Sequence, residues 1–301
     1  MSHEDDVHVE QTATSSRSQW RKAHISTASQ NKSRSFNAKK KKASFSKKNS
    51  SHTRQDSPSA QSRVKNDLHS SSQELLIPKE IKAQDLDAQA RRQLLSLSKE
   101  HADTVARHLV YAGMLLNENP QLAYEHAHAA YKRAPRINIV REALGVAAYM
   151  TEDYAQALRE LRTYRRMTND YTHAPLEADC ERGLGRSQKA VSFIKEIPLH
   201  KLSKAQQVEL MIVLSGAYAD LEDAQTGLKI LQNVKTDKIT KELRARLELV
   251  KADRYDDLGC NDKANSIREQ WLPVYEQTGE VDYFEEDYPV GDFVRDGGVH
   301  S

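Results

Sequence analysis

The sequence predicts an all-α protein made of repeated helical hairpins, with a basic arm before them and an acidic tail after. Three observations carry that expectation. Apolar residues recur at helical spacing from about residue 83 onward, whereas no segment alternates in the manner of a strand. A pair of small side chains returns at intervals of 33 to 37 residues. The charge is divided between the two ends rather than spread along the chain.

The 301 residues carry a formal net charge of only +2, and that total hides the division. Residues 11–65 hold fourteen Lys/Arg against one acid, Asp56, and residues 276–301 hold eight acids against Arg295. With 29% charged residues and a mean hydropathy of -0.76, part of the length is too polar to bury a core. Residues 1–73 are Ser- and Lys-rich without apolar periodicity, so they are expected to form a disordered arm that ends near Pro78. The folded region is expected at 79–275, and the acidic, aromatic tail at 276–301.

Cysteine usage and the ends of the chain restrict the class further. Cys180 and Cys260 stand far apart and in no C-x-x-C pattern, which argues against a disulfide framework and a structural zinc site. The opening "MSHEDDVHVE" lacks the basic start and apolar stretch of a secretory signal. No apolar run approaches the roughly 18 residues of a membrane span. A soluble cytoplasmic protein is the expectation.

Along the folded region, "AQDLDAQARRQLLSLSKE" places Leu86, Ala90, Leu94 and Leu97 on one face, predicting a capping helix over 83–97. Ser98 suits the N-cap of the next helix, whose stripe is Val105, Leu109, Ala112 and Leu116. Five hairpins follow from about residue 104. Their second helices share a small site at Ala123, Ala157, Ala190, Gly227 and Ala264. Twelve residues earlier come Tyr111, Gly145, Ala178, Ser215 and Ala252, small in four of the five. Four residues after the small site come Ala127, Leu161, Ile194, Leu231 and Arg268. Small residues on both helices let the backbones approach, and larger ones a turn away fill the seam. The turns recur as well: "NENPQ", "TEDYA", "LGRSQ", "DLEDAQ" and "LGCND". One hairpin cannot cover its own apolar face, so stacking is required.

A period near 34 with this small-residue pair resembles the tetratricopeptide repeat (TPR). The second unit matches best, through Leu144, Gly145, Tyr154, Ala157 and Leu161, and the first matches at Ala123, Ala127, Ala130 and Pro135. The later units depart from the pattern: Glu181 stands where an aromatic belongs, and Gly227 where alanine does. The layout is also similar to an actinobacterial group of TPR proteins with a basic arm, through "VARHLV…NPQLAYEHA" and "MTND…DCERGLGR". The resemblance implies an α-solenoid of about five TPR-like hairpins and no particular activity. It also implies a concave groove lined by the first helices, with His108, Ala112, Glu142, Tyr149, Asp179, Arg182, Asp253 and Asp256 on that side. His108, Glu142, Tyr149, Asp179 and Arg182 are the candidate partner contacts. His108, Ala112 and Ala143 stand where the family's carboxylate clamp has lysine and asparagine, so clamping of a chaperone tail is not expected.

Motifs that would carry chemistry are weak. "GLGRSQKA" lacks the preceding strand and the G-K-[ST] ending of a P-loop, and its Gly185 falls at an inter-helix turn. His126 and His128 stand about 200° apart around a helix and cannot share a metal, so one is expected in the seam and the other in solvent. Cys180 reads as a buried small residue and Cys260 as a turn residue. No catalytic residue, metal, cofactor, small-molecule substrate or membrane contact is expected. The arm is the strongest local signal: Lys39, Lys40, Lys41, Lys42, Lys47 and Lys48 lie beside Phe36 and Phe45. Flexible cations attract phosphates by counterion release, and aromatics stack on unpaired bases. In the tail, Tyr283, Phe284, Tyr288 and Phe293 among acids suit capping of the last helix, the favoured reading, or docking on a basic partner, on the chain's own arm or on the end of the solenoid. The functional expectation is a non-catalytic adaptor that holds a protein partner; the alternative is an RNA- or ribosome-associated factor acting through the arm.

Overall fold

The computed structural model describes residues 75–279, and all regular structure among them is helical. The α-helices are α1 (Ala88–Gln93), α2 (Lys99–Leu115), α3 (Pro120–Arg133), α4 (Asn138–Met150), α5 (Tyr154–Thr168) and α6 (Ala174–Gly183). After these come α7 (Ser187–Glu196), α8 (Lys204–Asp220), α9 (Ala224–Gln232), α10 (Lys241–Asp257) and α11 (Asn261–Gly279). From α2 onward they pair as hairpins: α2 with α3, α4 with α5, α6 with α7, α8 with α9 and α10 with α11. Each second helix also packs on the next first helix, and α2–α4, α6–α8 and α8–α10 meet directly. The result is a repeat-like all-α array. The arm and residues 280–301 lie outside the described residues, while α11 carries the folded part four residues past the expected boundary at 275.

Local chemistry starts these helices where side-chain oxygens can satisfy otherwise unpaired N–H groups. Ser98 accepts from His101 N–H (3.4 Å), Asn119 from Leu122 (3.1 Å) ahead of Pro120, and Asp153 from Gln156 (3.0 Å). Ser203 and Gln206 form a reciprocal capping box before α8, and Thr240 caps α10. The four later hairpins reverse direction through one device. Glu152, Gly185, Glu222 and Gly259 have φ of 63°, 72°, 63° and 73°, each five residues before the small site of its second helix. The residue after each donates its N–H back across the turn, from Asp153 to Ala148 (2.9 Å), Arg186 to Glu181 (2.8 Å), Asp223 to Tyr218 (2.9 Å) and Cys260 to Tyr255 (2.8 Å). These are Schellman closures, which return the last carbonyls of the first helix to hydrogen bonding. The α2–α3 turn is built differently, around Asn119 and Pro120.

Ala123, Ala157, Ala190 and Ala264 are fully buried. Gly145 shows why its site is small: a Cβ there would lie 2.8 Å from Leu161 Cδ2 and 3.2 Å from the Leu161 backbone nitrogen. At the fourth hairpin a Cβ on Gly227 would lie 2.8 Å from the Ser215 carbonyl oxygen.

The segment expected as one helix over 83–97 is broken into a 3-10 turn (Ala83–Asp85), α1, and a second 3-10 turn (Leu94–Ser96). Asp87 restarts the helix by accepting from Gln89 and Ala90, after Leu86 has taken an extended conformation. The segment still covers the start of the array. Leu86, Ala90 and Leu94 are buried, and Arg107 of α2 donates to the carbonyls of Ile81 (2.8 Å) and Pro78 (3.2 Å).

Candidate functional site

Two sets of polar side chains are built into the array, one facing inward among the first helices and one open beside α5. The inner set contains most of the residues expected to meet a partner. His108, Glu142, Tyr149 and Asp179 are all buried, and the Arg182 side chain is 18% exposed. Their polar atoms are turned to one another rather than offered to solvent. Tyr149 of α4 donates to Asp179 of α6 (2.5 Å), whose other oxygen accepts from Arg182 (2.9 Å). Arg182 continues to Asp220 of α8 (2.9 and 3.2 Å), which also accepts from Ser187 (2.8 Å). Glu142 pairs with His173 (2.8 Å), and Glu209 of α8 with Arg246 of α10 (2.5 Å).

Burial sets the protonation of this ladder. It pushes the Tyr149 hydroxyl well above its ordinary range, with the Asp179 charge adding to the effect. It lifts the Glu209 carboxyl to about 7, against the pull of Arg246. A tyrosine held neutral donates to a carboxylate, and charged pairs with little access to water hold neighbouring helices in fixed register. The ladder is a joint between hairpins. Asp253 and Asp256, also expected on this side, both pair with Arg268 of α11, while Ala112 is fully buried.

Of the two histidines expected to divide between seam and solvent, His126 takes the seam. His126 is buried, and half-buried His128 stacks between Tyr124 and Tyr131. His108, expected as a partner contact, has its Nδ1 3.0 Å from His126 Nδ1 across the first hairpin. Cys180 is buried and Cys260 exposed at a turn. Lys39, Lys40, Lys41, Lys42, Lys47 and Lys48 lie outside the described residues, as do Tyr283, Phe284, Tyr288 and Phe293.

The open set went unnoticed in the sequence, although "ALRELRTYRR" spaces Arg159, Arg162 and Arg166 as i, i+3, i+7 on one helix face. Arg159, Arg162, Arg165 and Arg166 of α5, with Arg186 from the turn before α7, wall a depression of about 400 Å³. Ala155, Leu158 and Leu184 give it apolar surface. Three buried glutamates hold the guanidinium groups in place. Arg162 pairs with Glu181 (2.5 Å), Arg165 with Glu177 (2.8 and 3.2 Å) and Arg159 with Glu160 (2.9 Å), while Arg141 also reaches Glu160 (2.5 Å). Arg165 is further sandwiched, its Cζ 5.6 Å from the Tyr171 ring centre and 5.1 Å from that of Phe193. The glutamates are buried, but Arg159, Arg186 and Arg162 remain 62%, 46% and 40% exposed. Six arginines over three acids leave a positive surface whose donors are already ordered.

Among the described residues no cluster of three His, Cys, Asp or Glu side chains is arranged to hold a metal ion, and no helix is long and apolar enough to cross a membrane. No family model, curated protein or solved structure matches the chain. The likeness to TPR proteins therefore rests on the repeat residues themselves.

Proposed function

We propose that the protein is a non-catalytic interaction scaffold, a short TPR-like α-solenoid that holds an acidic segment of another protein. The observation carrying this reading is the arginine-walled, apolar-sided depression beside α5. Four of its five wall guanidinium groups pair with buried glutamates and Arg166 donates to Thr163, so little ordering entropy remains to be lost when a carboxylate-bearing peptide binds. Glu142, Tyr149, Asp179 and Arg182 serve this scaffold by joining hairpins, His108 by joining the two helices of the first one, and the contact surface moves to α5 and the turn between α6 and α7. A cytoplasmic location fits the reading and belongs to the same proposal.

Full-length bait with Arg159→Glu and Arg166→Glu provides the test, because both side chains are exposed and the buried pairs of Arg162 and Arg165 stay intact. The expected result is a discrete set of captured proteins that survives nuclease treatment and is lost in the variant, with unchanged helical circular dichroism. The same proteins recovered by both baits would sink the reading. The second reading, an RNA- or ribosome-associated factor, rests on the +13 balance of residues 11–65. It requires retention that nuclease abolishes and that disappears when residues 1–73 are removed. Six to ten phosphate contacts would weaken such binding about 10³- to 10⁵-fold between 50 and 200 mM salt.

A further inference from the structure

We infer that the occupant of the arginine depression in the isolated protein is the chain's own acidic, aromatic segment, residues 280–301. The inference rests on the reading of that depression as a peptide site and adds how access to it is controlled. Three observations point to this occupant. The first is charge: the walls carry a surplus of arginine, and residues 280–301 hold seven acids against Arg295 alone. The second is the mixed surface. Ala155, Leu158 and Leu184 offer apolar contact between the guanidinium groups, and the segment interleaves its acids with Tyr283, Phe284, Tyr288 and Phe293. In "DYFEEDY" any extended or helical conformation puts an acid and an aromatic on the same side, so one peptide face can meet both wall and floor. Arginine planes also accept aromatic rings, as Arg165 already does with Tyr171 and Phe193. A nucleic acid would use the charge but would leave the aliphatic floor without a purpose.

The third observation is reach. The described chain ends with α11, in the hairpin three units beyond the one that holds α5. Four packing steps (α11–α10, α10–α8, α8–α6, α6–α5) at 8–10 Å each place the depression roughly 30–40 Å away. Twenty-two residues span up to roughly 70 Å when extended, and as a flexible coil about 26 Å in the root mean square. The segment therefore reaches the site at a high effective concentration, and a partner's acidic segment must displace it before binding.

The basic arm is the rival for the same acids, and photo-crosslinking of the full chain separates the two. A benzophenone-bearing residue at position 284, irradiated in dilute protein, is expected to crosslink to the segment 154–196, which contains α5, α6 and α7. Arg159→Glu with Arg166→Glu should lower that yield at least about fivefold. Adding Glu285→Lys, Glu286→Lys and Asp287→Lys to that variant should restore it. Arg186→Glu gives an independent reversal should the double variant lose its helical circular dichroism. Crosslinks into residues 1–74, a diffuse pattern insensitive to the reversals, or crosslinks only between isotopically distinct copies would each overturn the inference. None of these outcomes touches the partner-capture result, so a failure here and a failure of the scaffold reading remain distinguishable.

Discussion

Glu152 and Glu222 occupy the left-handed backbone conformation that Gly185 and Gly259 occupy at the equivalent turns. A side chain in that region costs roughly 1–2 kcal/mol because Cβ crowds the following carbonyl, while glycine adds about 0.4–1 kcal/mol of unfolded-state entropy. Glu152→Gly and Glu222→Gly should therefore each stabilise the protein by about 0.5–1 kcal/mol, measured as a raised denaturation midpoint with unchanged slope. Gly185→Ala should cost a similar amount for the converse reason. Gly145 is a different case, since it lies within α4 and alanine would gain about 1 kcal/mol of helix propensity there. The 2.8 Å approach to Leu161 Cδ2 works against that gain, and the 3.2 Å approach to a backbone nitrogen leaves little room to yield. Overpacking typically costs 1–3 kcal/mol, so Gly145→Ala should be destabilising by about 1 kcal/mol. A neutral or stabilising result would show that the α4–α5 seam is looser than its geometry.

At the level of elements, the α2–α3 hairpin is built around two neutral histidines. With 3.0 Å between Nδ1 atoms, one ring must donate and the other accept, and a proton on the accepting nitrogen would break the contact. Burial, then the charges of His126, Arg133 and Arg107, lower the His108 pKa to about 4. Burial also lowers His126, against the pull of Glu125. Both folded values therefore lie below the unfolded value near 6.5. Above that pH the pair is neutral in both states and stability does not depend on it. As pH falls from 6.5 toward 4, the unfolded chain takes up protons that the folded hairpin refuses, and stability is lost. Thermal unfolding should thus begin at a lower temperature at pH 5 than at pH 7, with the difference reduced in His126→Phe. An equal slope in both proteins would remove the histidines from the account. Neither histidine announces this role in the sequence, because eighteen residues separate them and spacing alone cannot report a contact between helices. Ser98, Gly185 and the small-site alanines were readable, since caps, turns and close approaches are decided by residue type within a few positions. The break of the 83–97 segment at Leu86 and Asp87 escaped because apolar periodicity continues across it. Glu142 and Asp179 were placed on the correct helices and read as partner contacts, because their hydrogen bonds to His173 and Tyr149 join residues 31 and 30 positions apart, which no local spacing reports.

Over the whole molecule the apolar core is uneven. One cluster runs from Ile81 through Leu144 and Leu161 to Cys180, joining the leading segment to the first two hairpins and α6. Beyond it the core divides into smaller groups around Ile194 and Leu210, around Leu231 and Leu247, and around Val191 and Ala217. An array stabilised by nearest-neighbour contacts opens first where those contacts are fewest. Amides of α9 to α11 should therefore exchange ahead of those in α2 to α5. The junction between the two regions combines small apolar clusters with a polar bridge. Arg182 bridges Asp179 and Asp220, and its guanidinium lies over Gly216, where an added Cβ would come within 2.5 Å of Cζ. Asp220→Ala removes two hydrogen bonds from Arg182 and one from Ser187 without opening a buried apolar cavity. Hydrogen bonds to charged groups contribute about 1.5–3 kcal/mol, and exposure of Asp220 reduces that to nearer 1.4 kcal/mol, a factor of ten in an opening equilibrium. Hydrogen exchange in Asp220→Ala should accordingly accelerate about tenfold in α8 to α11 while α2 to α5 keep their protection. Equal acceleration throughout would mean that the helices unfold as one cooperative unit, and unchanged exchange would mean that the apolar contacts between α7 and α8 hold the junction without the ion pair.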